Sequence, residues 1–274
     1  TFSEKGTAGD VNITAAGHIH TNTIRSDGME QGGDINIRSD SENSINAAGV
    51  LETYSEAGRA GNVNLTSPGS INISSIISQG MEQGGDIQVN SERGEINSTG
   101  DIDSYSKAGR GGNIKVNAPE RVTLGDVSSY GMEKSGDLII QSRAARVNTG
   151  NVQTQAPQGN SGSIVINGTE VGTEDLSSIG TTRAGGIKVE ATRGSIRIYD
   201  IENISEGTIG GLRLKAPEDI ATEDITQEAG EGNTDINTDA GRDQNTGNIT
   251  QIAKTGDTNN SQTAGRDQNI GDVT

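Results

Sequence analysis

Aliphatic residues spaced two apart recur behind a glycine through most of this chain. The runs are "DVNI", "DINI", "NVNL", "DIQV", "NIKV", "DLII", "SIVI", "IKV" and "LRL". Their glycines are Gly9, Gly33, Gly61, Gly85, Gly112, Gly136, Gly162, Gly186 and Gly211, at intervals of 24 to 28 residues. Residues two apart share one face of a strand. Each run therefore predicts a short strand with an inward pair: Val11/Ile13, Ile35/Ile37, Val63/Leu65, Ile87/Val89, Ile114/Val116, Leu138/Ile140 and Ile164/Ile166. The last two glycines drop the acidic residue and shift the pair by one, to Ile187/Val189 and Leu212/Leu214.

A second aliphatic follows each glycine by 9 to 12 residues, from Ile19 and Ile45 to Ile220. A third follows by 14 to 17, through Ile24, Val50 and Ile76 to Ile225. Three short strands per repeat, separated by Gly, Asn, Asp and Ser, predict one coil of a parallel β-solenoid, an all-β fold. One coil cannot bury its inner face alone. Stacking at about 4.8 Å per coil buries it against its neighbours.

Two corner loops alternate. Coils ending "SDGMEQG", "SQGMEQG" or "SYGMEKS" alternate with coils ending "TYSEAGRA" and "SYSKAGRG". The unit is thus a pair of coils, about 51 residues long, with Phe2, Tyr54 and Tyr105 in one slot. The alternation decays from about residue 150. Beyond Gly230 the aliphatics thin out, yet "TDAGRDQNTGNIT" and "QTAGRDQNIGDVT" still lie 24 residues apart. The expected organisation is a parallel β-helix of about nine coils over residues 1–229. Residues 230–274 are expected to continue or cap it as a polar, amide-rich repeat.

Composition sharpens this picture. With 40 glycines, one Phe, four Tyr and no Trp, the interior must be narrow and filled by small aliphatics. The net charge of −17, with no basic stripe, argues against nucleic acid as a partner. The absence of cysteine excludes a disulfide scaffold, a thiolate metal site and a Cys nucleophile. No apolar run is long enough for a membrane-spanning helix. The chain opens in mid-repeat without a methionine, which suggests a piece of a longer protein.

The candidate chemistry lies at the corners. Asp10, Asp34, Asn62, Asp86, Asn113 and Asp137 are expected to stack as a ladder. A carboxylate ladder could bind cations or act in acid–base hydrolysis of polysaccharide. Its regular recurrence beside glycine favours turn architecture instead: glycine for positive φ, and Asp or Asn to bond its own backbone. Glu30, Glu82 and Glu133 lie three residues before their glycines, and Arg59 and Arg110 lie two before theirs. They are expected to form an exposed Glu/Arg ladder along one edge, keeping coils in register at under about 1 kcal/mol per pair. Met29, Met81 and Met132 recur in the same loops. They are either an exposed row for lateral association or gap-fillers at the end of the core. His18 and His20 in "GHIH" share a strand face but have no third ligand for a metal. No cofactor is called for, and no nucleophile, phosphate-loop or zinc motif is present.

The pattern "GGDI.I…..I.T.GDI.S.S..G.GGNI.V" resembles the repeat region of large filamentous-haemagglutinin-like exoproteins, especially the many-repeat cyanobacterial forms. The resemblance covers roughly residues 1–229. It implies a right-handed parallel β-helix, secretion by a two-partner route, a secreted or cell-surface location, and roles in adhesion, surface coats or biofilm. The expected function is that of a non-enzymatic structural or adhesive rod, a segment of an adhesin or the subunit of a filament. Expected partners are further copies, in filament or lateral contacts, and surface glycans or a cell surface. The competing reading is a polysaccharide-binding or polysaccharide-cleaving β-helix, which would need an irregular acidic cluster or an aromatic platform.

Overall fold

Each coil contributes a strand to three parallel columns in the computed structural model, which describes residues 1–40 and 44–274. Strands form throughout, with no helix among the described residues. The strands behind the glycines make one eleven-stranded sheet, from Val11–Ala15, Ile35–Ser39 and Val63–Ser67 to Thr258–Ala264. The second and third strands of each coil make two further columns. These merge into one sheet where Ile45–Ser55 and Ile71–Gly80 run round the corner unbroken. Equivalent positions of successive coils face each other: Ile35 lies opposite Val11 on one side and Val63 on the other. The fold is a parallel β-solenoid of about eleven turns.

Inward aliphatics from the three columns form one continuous core from Ile19 to Ile249. Burying each of these side chains contributes roughly 1.5–3 kcal/mol. Val11, Ile13 and Ile24 of the first coil are only partly buried, because a single neighbouring coil flanks them. In the second coil the expected spacing fails by one residue. Leu51, not Val50, stands opposite Ile24 and Ile76, and a register shift between Ala47 and Val50 absorbs the difference. Leu51 is buried and Val50 is partly exposed.

The glycines also work differently from expectation. Among the described residues only Gly232 and Gly256 have positive φ. The anchor glycines are needed for close approach instead. A Cβ on Gly61 would stand 2.2 Å from Gly33 O, one on Gly85 2.0 Å from Gly61 O, and one on Gly162 2.0 Å from Gly136 O. These glycines stack backbone on backbone up the corner, and no side chain fits between them. Gly185, rather than Gly186, continues the stack, since its Cβ would meet Gly162 O at 2.1 Å. That accounts for the one-residue shift at this repeat.

Beyond Gly230 the columns go on. Thr234–Ala240 pairs with Leu212–Ala216, and Thr258–Ala264 pairs with Thr234–Ala240. The interior here is mixed. Ile236, Ala240 and Ile249 share it with buried Thr234, Thr238, Gln244, Thr246 and Gln251.

Candidate functional site

The recurring polar residues stand at the three corners, just before each strand begins. Asp10, Asp34, Asn62, Asp86, Asn113 and Asp137 occupy one column ahead of the first strand. Each side-chain Oδ1 accepts the backbone N–H of the next residue in the column. Asp34 N–H donates to Asp10 at 2.9 Å, Asn62 to Asp34 at 2.7 Å and Asp86 to Asn62 at 2.8 Å. Asn113 donates to Asp86 at 2.7 Å and Asp137 to Asn113 at 2.9 Å. Ser163 N–H closes the run on Asp137 at 2.7 Å. The side chains therefore bond the neighbouring coil, where bonding to their own backbone was expected. Each rung needs one acceptor oxygen, which Asp and Asn both supply, and Asn113 Nδ2 also donates to Asp86 at 3.2 Å. The ladder stops where Ser163 and then Gly186 offer no carboxylate or amide oxygen.

A second ladder of the same kind was not recognised in the sequence. It runs ahead of the third strand through Asp126, Asn151, Asp175, Asp200, Asp224, Asn248 and Asp272. Each N–H donates to the preceding side chain at 2.8 to 3.3 Å. The signal was available in "GDV", "GNV", "EDL", "YDI", "EDI" and "GNI". Glu174 and Glu223 flank it, so this corner carries acids without a compensating cation in the same loops. Like charges one coil apart repel by about 1 kcal/mol in water, and salt screens this. Asp224→Asn keeps the ladder oxygen and removes a charge. It is expected to raise the thermal midpoint by about 1–2 °C at low ionic strength. The gain should vanish in about 0.5 M salt, as followed by circular dichroism.

The Glu/Arg ladder does not form where it was expected. Arg59 pairs through its backbone with Gln31 and Gln83, and Arg110 with Gln83 and Lys134. Glu30, Glu82 and Glu133 give their backbone N–H to Gly6, Gly58 and Gly109. No ion pair joins these five side chains among the described residues. The acids and the arginines are one position out of step in the loop, so they occupy different columns. Met29, Met81 and Met132, one residue earlier, are half-buried.

Charge pairs form instead at the corner ahead of the second strand. Arg121 meets Glu95 at 3.0 Å, Arg146 meets Glu170 at 3.8 Å, Arg242 meets Asp219 at 2.7 Å and Arg266 meets Asp243 at 2.7 Å. Hydrogen bonds from Asn97 and then Arg121 hold the Glu95 carboxyl below its ordinary range. Arg242 does the same for Asp219. All are surface contacts, worth little individually.

A column of buried hydroxyls was also missed. Ser26, Thr53, Ser78, Ser104, Ser129, Thr154 and Ser178 point inward from the third strand and are at most 1% exposed. They bond the glycine stack. Ser78 Oγ donates to Gly61 O at 2.9 Å and accepts Gly85 N–H at 2.7 Å. Ser129 Oγ donates to Gly112 O and accepts Gly136 N–H, both at 2.8 Å.

On the outer side of the third column, Asp103 is the carboxylate with a raised pKa. Burial lifts it, the Ser128 hydroxyl at 2.6 Å opposes the rise, and Asp101 and Asp126 add to it. A folded-state pKa above the unfolded value means that Asp103 favours the fold when protonated. That contribution is lost as pH rises through the folded value. Asp103→Asn is therefore expected to melt higher than wild type at pH 7, by about 1–3 °C. The difference should close as the pH is lowered into the ordinary carboxylate range, as read by melts across pH.

This face offers little for a sugar. Phe2, Tyr54, Tyr105 and Tyr130 fall in one outward column. Tyr105 and Tyr130 stack on each other, with centroids 4.9 Å apart and planes at 13°. Their facing surfaces are covered, and Gln79 and Gln155 occupy the slots beyond. A groove of about 280 Å³ lies further along, lined by Gln153, Asp175, Ser177, Ile179, Asp200 and Glu202. Asp175 and Asp200 there already accept backbone N–H groups of the next coil. His18 Nδ1 accepts the Ser44 N–H at 3.2 Å, and no cluster of metal-ligating side chains forms among the described residues. Comparison with protein-family models, with curated proteins and with solved structures returns no match.

Proposed function

We propose that the chain is a rigid, non-enzymatic rod within an exported surface protein, serving adhesion or the build-up of an extracellular filament. One observation carries the reading. The side chains that recur most regularly are occupied in joining coil to coil. The carboxylates that a hydrolase would need free are acceptors in backbone ladders. What the repetition builds is length. About eleven coils at about 4.8 Å each give a rod of about 50 Å, and further coils would extend it linearly. The net charge of −17 keeps such rods soluble and apart until a specific contact is made. The resemblance of the repeat to filamentous-haemagglutinin-like exoproteins supports the surface location.

The test is antibody labelling of the native cells. Labelling of intact cells, with rods or filaments seen by immunogold electron microscopy, is the expected result. Labelling only after permeabilisation would overturn the location. Release of oligosaccharides from a polysaccharide panel by the purified chain would overturn the non-enzymatic role.

A further inference from the structure

The inward position of the third column changes along the rod. It is Ser or Thr as far as Ser178, and then becomes Asn203, Gln227 and Gln251. Asn203 Nδ2 donates to Gly210 O at 2.7 Å, in the manner of the hydroxyls before it. Gln251 Nε2 donates to Thr234 O and Asn259 O, both at 3.1 Å. Gln227, between them, is 0% exposed, and neither its Oε1 nor its Nε2 has a partner. Three more buried oxygens in these coils are also unpartnered: Asn203 Oδ1, Thr222 Oγ1 and Gln244 Oε1. Thr222 belongs to the coil of Gln227, and Asn203 and Gln244 to the coils on either side.

We propose that this stretch of the lumen is a binding site for ordered water, held by Gln227 together with Asn203, Thr222 and Gln244. A buried polar atom left unpaired costs about 1–3 kcal/mol, so several in three successive coils demand a partner. The partner must both donate and accept, because Gln227 leaves an amide N–H and an oxygen open. A cation would serve the oxygens only, and no Asp or Glu is buried among the described residues to balance it. The nitrogens of Asn203 and Gln251 are committed to backbone carbonyls, so neither neighbouring amide supplies a donor for Gln227 Oε1. A water needs two to four polar partners, and this section supplies them. Earlier in the rod the inward hydroxyls of this column are already bonded to the glycine stack, as Ser78 and Ser129 are.

The test pairs a high-resolution crystal structure of the wild-type chain with water-oxygen relaxation dispersion on wild type and Gln227→Met, an apolar side chain of similar length. The expected result is water density within hydrogen-bonding distance of the Gln227 amide. It should be matched by a long-lived-water signal that falls in the variant, while the melting temperature is unchanged or higher. Direct bonding of Gln227 to Asn203 or Gln251 without water, or an undiminished signal in Gln227→Met, would overturn it. Should the variant fail to fold, the wild-type density decides alone.

Discussion

Gly112→Ala is expected to destabilise the solenoid by about 3 kcal/mol or more, among the largest effects of any single methyl group in the chain. The new Cβ would lie 2.2 Å from Gly85 O and 2.4 Å from Gly85 C. Both are backbone atoms one coil away, so no side-chain rotation relieves the clash. Gly136 repeats the demand on the other side, with its own Cβ position 2.2 Å from Gly112 O. Relief requires prising two coils apart, which would break the Ser104 bond to Gly112 N–H and the Asn113 rung of the ladder. Gly17→Ala is the control. A Cβ there meets nothing within 4 Å, and φ is not positive. It should leave stability within about 0.5 kcal/mol of wild type, or raise it slightly by restricting the unfolded chain. Denaturant melts, with hydrogen exchange read at Ile87–Ser91 and Ile114–Ala118, distinguish the two. An unchanged midpoint for Gly112→Ala would remove close packing as the reason for the glycine.

The contrast between those glycines marks what the sequence makes legible. Periodicity two within periodicity 24 to 28 is a property of the inner face, where every residue has the same task. That is why Ile35, Ile87, Val147 and Ile201 could be placed inside from spacing alone. Leu51 could not, because a register shift breaks the count and both Val50 and Leu51 are apolar. The corners were harder. Their residues are read correctly only when it is known which coil they bond to, and a single-coil view assigns Asp34 to its own turn. Likewise Glu82 and Arg110 look like neighbours along an edge, but one position of offset separates them into columns with different partners. The hydroxyl column was hidden for another reason. Serine in a glycine-rich, polar sequence reads as surface, and only the stacked glycine backbone makes it an interior residue. Towards the end of the rod the same position becomes Asn203, Gln227 and Gln251, and composition alone does not tell a polar core from a polar surface.

Ser104→Ala tests that reassignment and should cost about 2 kcal/mol, far above the effect of an exposed serine. Ser104 is 0% exposed. Its Oγ donates to Gly85 O at 2.9 Å and accepts Gly112 N–H at 2.8 Å, joining two coils through one atom. Alanine removes that atom without opening a path for water, so a buried donor and a buried acceptor lose a partner together. Ser104→Thr should be tolerated to within about 1 kcal/mol. Thr53 and Thr154 occupy the same column, with Oγ1 donating to Gly61 O at 2.7 Å and Gly162 O at 2.8 Å. These threonines bond the carbonyl of the glycine that follows them, the counterpart of Gly112 rather than of Gly85, so a threonine at 104 keeps a hydroxyl bond to the glycine stack by another route and adds a methyl group that the column already accommodates. If Ser104→Ala and Ser104→Thr melted together with wild type, the hydroxyl column would be incidental. If alanine alone falls, with faster exchange at the Gly112 amide, the hydroxyls fix the glycine corner. The repeated Ser or Thr seven or eight residues before the anchor glycines from Gly33 to Gly186 then becomes as much a mark of the fold as the aliphatic pair behind it.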